Sequence, residues 1–283
     1  MFYRLSRSWN LMKASAAVLA DDKELLLFPL ISTGALVVVL IAFAVPVIGL
    51  GALDGIAGGR DGRISAAMYV VGFLFYFVHY FVIVFFNTAL VGAAMIRLDG
   101  GNPTLRDGLN IAMSKLRVIA AYALIAATVG MILRAIEERV GFVGRIIVGL
   151  IGMAWAIATY LVVPVLAARD MGPIDAVKES AWLVKTTWGE NVIGQAGLGL
   201  AFGILIVAVV IFGGFFVLVA AAGHSVFLLV TALALTILAV GMLLLVQGAL
   251  TGIYAAALYR YATKGETTAG FAAEDMKLAF APK

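Results

Sequence analysis

The sequence predicts an all-α membrane protein: six transmembrane helices, with amphipathic cytoplasmic interfacial helices before spans 1, 3 and 5. Three observations carry that prediction. Hydrophobic residues fill 64% of the 283 positions and charged residues 13%, whereas soluble domains hold ~45–50% apolar and ~25% charged residues. The uncharged stretches are long, running Leu25–Leu53, Ile64–Ile96, Val118–Leu133, Ile146–Ala168 and Asn191–Tyr259. Lys and Arg, finally, divide unevenly between alternate connections.

A membrane helix needs about 20 apolar residues to cross a hydrocarbon core of roughly 30 Å. The last uncharged stretch is too long for one helix, and its AAAGHS segment (Ala220 to Ser225) offers a glycine-containing break, so it reads as a tight helical hairpin. The spans are then 25–53, 64–96, 116–136, 144–168, 191–221 and 225–260, in a single polytopic domain 1–283. An interfacial helix (1–24) precedes them and a cytoplasmic tail (261–283) follows. Span 3 has the shortest uncharged run, so Arg134 is expected to snorkel to the interface. Pro29, Pro46 and Pro164 lie toward span ends and give little support for the broken helices of many transporters.

An even number of spans puts both termini on one side. The N-terminal segment, the connections after spans 2 and 4, and the tail together carry fifteen Lys and Arg. The opposite connections carry five: Arg60, Arg63, Arg134, Arg139 and Arg145. The positive-inside rule places both termini in the cytoplasm. The scattered charges argue against a nucleic-acid partner. The opening residues do not read as a cleavable leader, since no Ala-x-Ala-like site precedes Asp21 and the span that follows is long enough to cross.

Helical periodicity organises the cytoplasmic connections. Phe2, Leu5, Trp9, Met12, Ala16 and Leu19 form one stripe, with Arg7 and Lys13 on other faces. Ile174, Val177, Ala181, Val184 and Trp188 form a second, beside Lys178 and Lys185, and Leu105, Leu109, Ala112 and Leu116 a third. Cationic helices with aromatics on an apolar side lie in the membrane interface. Trp9, Arg7, Lys13, Trp182, Lys185 and Trp188 are the candidate lipid or partner contacts. The plainer reading is a structural belt.

Ser8-Trp9 with Lys13, and Ser180-Ala181-Trp182 with Lys185 and Trp188, resemble a group of prokaryotic six-span membrane proteins. That group includes the membrane domain fused to some glycerophosphodiester phosphodiesterases. The run DDKELLLFPLIS (Asp21 to Ser32) is similar to an uncharacterised bacterial branch. The resemblance implies a multi-pass protein of the bacterial inner (cytoplasmic) membrane and assigns no chemistry to any residue.

Enzymatic machinery is not apparent in the sequence. There are no cysteines and two histidines, His79 and His224; no Walker-type phosphate loop and no metal-ligand spacing occurs, so no cofactor or metal is expected. Glu137-Glu138, flanked by Arg134 and Arg139, reads as an ion-pair patch. No span carries a central charge. Polar groups within spans usually face the bundle or a wet cavity. Tyr69, Tyr76, Tyr80 and Asn87 share one face of span 2, near His79; Gln247, Thr251 and Tyr254 share one of span 6. Gln195 adds to span 5, where Gly199-x-x-x-Gly203 offers close helix approach, as Gly248-x-x-x-Gly252 does in span 6. Either these groups pin the bundle or Tyr76, His79, Tyr80, Asn87, Gln195, Gln247 and Thr251 line a weakly polar path. The expected function is a non-enzymatic scaffold, assembly or lipid-organising protein, with a channel or transporter for a small or amphipathic solute as the alternative. Its partners would be membrane lipids, other membrane proteins or a second copy.

Overall fold

A computed structural model describes residues 13–49, 66–188 and 196–265. Arg7, Trp9, Asn191 and Gln195 lie outside those residues, as does the side chain of Trp188. Among the described residues every regular element is a helix. Residues 13–21 form the described part of α1, and a 3-10 turn (Lys23–Leu26) leads into α2 (Leu27–Gly49). Then come α3 (Ala66–Leu98), α4 (Leu105–Ser114), α5 (Leu116–Glu137), α6 (Phe142–Ala158) and α7 (Val162–Ala168). Helices α8 (Pro173–Trp188), α9 (Ala196–Ala222) and α10 (Val226–Lys264) complete the described residues. Six helical stretches are long and apolar enough to cross a membrane: Lys23–Ile48, Val70–Leu98, Leu116–Glu137, Phe142–Ala168, Gly199–Ala222 and Val226–Lys264. They correspond to the six expected spans.

Residues of Leu27–Ala93 and Pro103–Thr186 form one compact unit, and those of Met1–Leu26, Ala94–Asn102 and Thr187–Lys283 another. In the first, the buried residues gather toward one end of the spans: Ala89, Leu90 and Val91 of α3, Ile119 and Ala123 of α5, Val162, Val165 and Leu166 of α7. In the second, Ala255, Ala256, Ala257 and Leu258 of α10 are buried, with Leu25 of the 3-10 turn packing on that helix. Alanine dominates because a small side chain lets two backbones approach closely where lipid provides no hydrophobic drive between helices. Elsewhere Val38, Ile48, Ile211 and Phe212 are exposed, as residues facing acyl chains are.

Span 4 corrects an expectation. It is not continuous: α6 ends at Ala158 and α7 begins at Val162, with turn residues between. Pro164 is the physical reason, because its ring crowds the carbonyl four residues earlier and it offers no N–H to bond it. The Tyr160 and Val162 amides bond three residues back, to Ile157 O (3.3 Å) and Thr159 O (3.1 Å). The Leu161 N–H leaves the ladder and donates to Ser180 Oγ of α8 at 3.0 Å.

Helices precede spans 1, 3 and 5 among the described residues, but their faces are turned. In α8 the buried positions are Ala176, Ser180, Leu183 and Val184; Ile174 and Trp182, at 60% and 58% exposure, point away. In α1, Ala14, Ser15, Val18 and Leu19 are buried and Ala16 is exposed. In α4, Gly108 and Ala112 are buried, and Leu116 opens α5 instead of closing the α4 stripe. Small residues (Ser15, Gly108, Ala112, Ala176, Ser180) recur on each inward face beside Leu19 and Leu183, while Ile174 and Trp182 are left exposed.

Ion pairs tie these connections together. Lys115, between α4 and α5, pairs with Asp170 and donates to the Arg169 carbonyl at 3.2 Å, while Arg169 pairs with Glu179 of α8 at 2.8 Å. In the other unit Arg260 of α10, largely buried, meets Asp99 at 2.7 Å, and Arg97 meets Asp21 at 3.8 Å.

A capping box starts α4: Thr104 Oγ1 accepts the Asp107 N–H at 3.3 Å, and Asp107 Oδ2 accepts the Thr104 N–H at 2.9 Å and its hydroxyl at 2.7 Å. These bonds, the backbone one foremost, hold the Asp107 carboxyl below its ordinary 3.8. A depressed folded value means the contribution is complete above the ordinary carboxylate range and is lost as pH falls through the folded value. Amide-exchange protection at Asp107 and Gly108 is therefore expected to fall on acidification below that range. Asp107→Asn should show the weaker protection at neutral pH as well, and a pH-independent ratio between the two proteins would contradict the assignment.

Candidate functional site

Two concave sites are built by the described residues, one in each unit. The first lies in the hairpin that the AAAGHS segment predicts. Helix α9 ends at Ala222, His224 takes a left-handed conformation (φ 52°), and Ser225 Oγ caps α10 by accepting the Leu228 N–H at 3.4 Å. The helices press together at Gly213, where an added Cβ would fall 2.2 Å from Thr236 Oγ1. This is the close approach that glycine permits; Gly199 and Gly203, expected to serve that purpose, face open space. Along the contact runs a cleft of about 650 Å³ lined by residues such as Phe212, Phe216, Leu228, Ala232 and Leu235. Its two hydroxyls are already committed. Thr231 donates to Phe227 O at 2.8 Å and Thr236 to Ala232 O at 2.7 Å, each on its own helix. The cleft therefore presents hydrocarbon alone, in the size range of small-molecule sites, ~300–1,000 Å³.

The second site lies where the first part of α3 meets the last turns of α5, a cavity of about 500 Å³. Tyr76 and Tyr80, one turn apart, stack with ring centroids at 6.4 Å and planes 26° apart. Arg134 faces them, its Nη1 donating to Tyr76 Oη at 2.9 Å and its Nε to Glu138 Oε1 at 3.2 Å. Glu137 completes the rim, and Gly130 forms the floor beneath Arg134.

With both sites described, the comparisons with known proteins add one result. Residues 66–271 match a family described as "Family of unknown function (DUF6159)". The chain belongs to this family. The matched region takes in the cavity, the broken span, α8 and the hairpin of this DUF6159 member, and begins after α1 and α2. No curated protein and no solved structure matches the chain, and nothing connects it to glycerophosphodiester phosphodiesterases.

The candidate residues divide accordingly. Tyr76 and Tyr80 come together with Arg134. His79 packs on Phe75 at 5.7 Å, and neither His79 nor His224 forms an ion pair among the described residues. Asn87 shares the Tyr76 face by helical spacing but is exposed, while its neighbour Thr88 is fully buried and bonds Val84 O at 2.7 Å. Gln247 is half-buried, and Thr251 is exposed with its hydroxyl bonded to Gln247 O at 2.8 Å. Trp182 and Lys185 are both exposed on α8, and Lys13 is exposed on α1. The sequence reading missed Ser180 as a cap. A proline inside an apolar span is the signal that would have prompted a search for one.

Proposed function

We propose that this protein is a non-catalytic component of the bacterial inner (cytoplasmic) membrane, with both termini in the cytoplasm, that organises lipid. The hairpin cleft carries the reading: about 650 Å³ whose lining hydroxyls are spent on their own helices, so that an acyl chain is the occupant its chemistry fits. The excess of Lys and Arg on the side assigned to the cytoplasm supports the orientation. The exposed Trp182 and Ile174 beside Lys178 and Lys185 supply an apolar and cationic surface suited to an anionic leaflet, where each cation contributes ~1 kcal/mol.

The test uses the full chain in proteoliposomes with a phospholipid carrying a photoactivatable diazirine in its acyl chain. Crosslinks are expected to concentrate on α9 and α10. Ala232→Phe fills the cleft, and overpacking of about 1–3 kcal/mol should reduce that labelling about fivefold or more. Labelling spread evenly over the spans and unchanged by Ala232→Phe would refute the reading. A solute flux lost on Asn87→Leu or Gln247→Leu would establish conduction in its place.

A further inference from the structure

The α3–α5 cavity carries a second assignment, independent of the hairpin cleft. Its charged groups are part-used in a specific way. Arg134 spends Nη1 on Tyr76 and Nε on Glu138, which fixes the guanidinium plane and leaves Nη2 without a partner among the described residues. Glu138 is engaged by that bond, while Glu137 makes no ion pair among the described residues. One oriented cation and one available carboxylate therefore stand at the same rim, with the Tyr76 and Tyr80 rings beside them.

That combination selects by charge. An anion alone is drawn to Arg134 but repelled by two carboxylates; a cation alone meets the reverse. A zwitterion bearing a phosphate and an ammonium satisfies both, the phosphate on the guanidinium and the ammonium between carboxylate and aromatic face. The wall of the cavity also changes along its depth. Glu137 and Glu138 lie at the end of the span, and Gly130 and Tyr80 lie deeper, Gly130 about 12 Å along the helix from Glu138 at 1.5 Å per residue. A charged rim above Gly130 and the Tyr80 side chain, whose hydroxyl lies beside Gly130, at the end of a membrane span, matches a molecule whose headgroup is charged and whose remainder enters the span. We propose that this cavity binds the headgroup of a zwitterionic, amine-bearing phospholipid, with its phosphate on Arg134 and its ammonium on Glu137.

Native mass spectrometry of the detergent-solubilised full chain, titrated with equal amounts of dioleoyl phosphatidylethanolamine and dioleoyl phosphatidylglycerol, tests this. The wild type is expected to retain the ethanolamine lipid preferentially. Glu137→Gln should reduce that preference about tenfold, the loss of one hydrogen bond to a charged group, and Arg134→Gln should weaken retention of the ethanolamine lipid itself by a similar factor. Tyr76→Phe keeps the ring but releases the guanidinium, and should cause a smaller loss even if Arg134→Gln fails to fold. Arg139→Gln removes the same charge outside the cavity and should change nothing. Ala232→Phe should likewise keep the headgroup preference while losing acyl labelling, so the two sites fail separately. Equal retention of both lipids by the wild type, a preference untouched by Glu137→Gln, or retention of the ethanolamine lipid untouched by both Arg134→Gln and Tyr76→Phe, would overturn the assignment. Displacement of the lipid by soluble phosphoethanolamine at equal concentration would also overturn it, assigning the cavity to a free zwitterion.

Discussion

Replacing Gly108 with alanine is expected to destabilise the protein although it adds a single methyl group to a helix. The position lies in α4, and a Cβ built there would fall 2.4 Å from Phe28 Cζ and 2.7 Å from the Ala89 carbonyl oxygen. Neither neighbour has room to yield. Phe28 is 1% exposed, and the Ala89 oxygen belongs to the α3 backbone. Helix α4 would have to withdraw from α3, and such overpacking costs about 1–3 kcal/mol. Alanine's better helix propensity offsets up to ~1 kcal/mol of that. The facing glycine supplies the control. A Cβ at Gly92 of α3 would have the half-buried Ile111 side chain as its nearest neighbour, at 2.9 Å from Cδ1 and Cγ2 and 3.3 Å from Cβ, with no backbone atom among its three nearest. Gly92→Ala should therefore cost less than Gly108→Ala, whose neighbours include a backbone oxygen. Thermal unfolding of both variants in detergent decides the matter: equal midpoints would mean that the α3–α4 contact is looser than described.

The contrast shows what a sequence of this kind discloses. The number of spans and the hairpin are legible because apolar length is a direct measure of membrane thickness, and because Gly223, His224 and Ser225 interrupt an otherwise uniform run. The faces of the interfacial helices are not legible in the same way. Periodicity finds the apolar stripe, but next to lipid an apolar stripe has two possible environments. Ile174 and Trp182 are exposed; Ala176 and Ser180 are buried. The same ambiguity governs Asn87, whose spacing from Tyr76 puts it on the predicted face, while that face is open at its level. The hairpin cleft and the α3–α5 cavity depend on pairs distant in sequence: Gly213 with Thr236, and Tyr76 with Arg134. Arg134 is conspicuous as a charge ending a short span, yet nothing local to it names Tyr76 as its partner.

The break in span 4 depends on one such distant pair, and Ser180→Ala is expected to expose it. The Ser180 hydroxyl, fully buried, is the acceptor for the Leu161 amide at 3.0 Å. Leu161 is itself fully buried, so in the alanine variant its N–H would have neither protein nor water to bond. An unsatisfied buried donor costs about 1–3 kcal/mol. Hydrogen bonds between membrane helices average nearer ~0.6 kcal/mol, because the unfolded state in lipid also finds partners. The expected loss is therefore about 1–2 kcal/mol, with faster hydrogen exchange localised to Leu161 and Val162. Localisation separates this account from general loosening of α8, which would also expose the amides of α8 itself. The consequence reaches beyond stability. Residues 159–161 are the one interruption described within a span, and the group that caps Leu161 belongs to α8, whose Trp182 and Lys185 are exposed. A displacement of α8 would withdraw the Leu161 cap, so that helix and the break in span 4 are expected to move together. If Ser180→Ala leaves both the melting midpoint and Leu161 exchange unchanged, the break is held by Pro164 alone and that coupling does not exist.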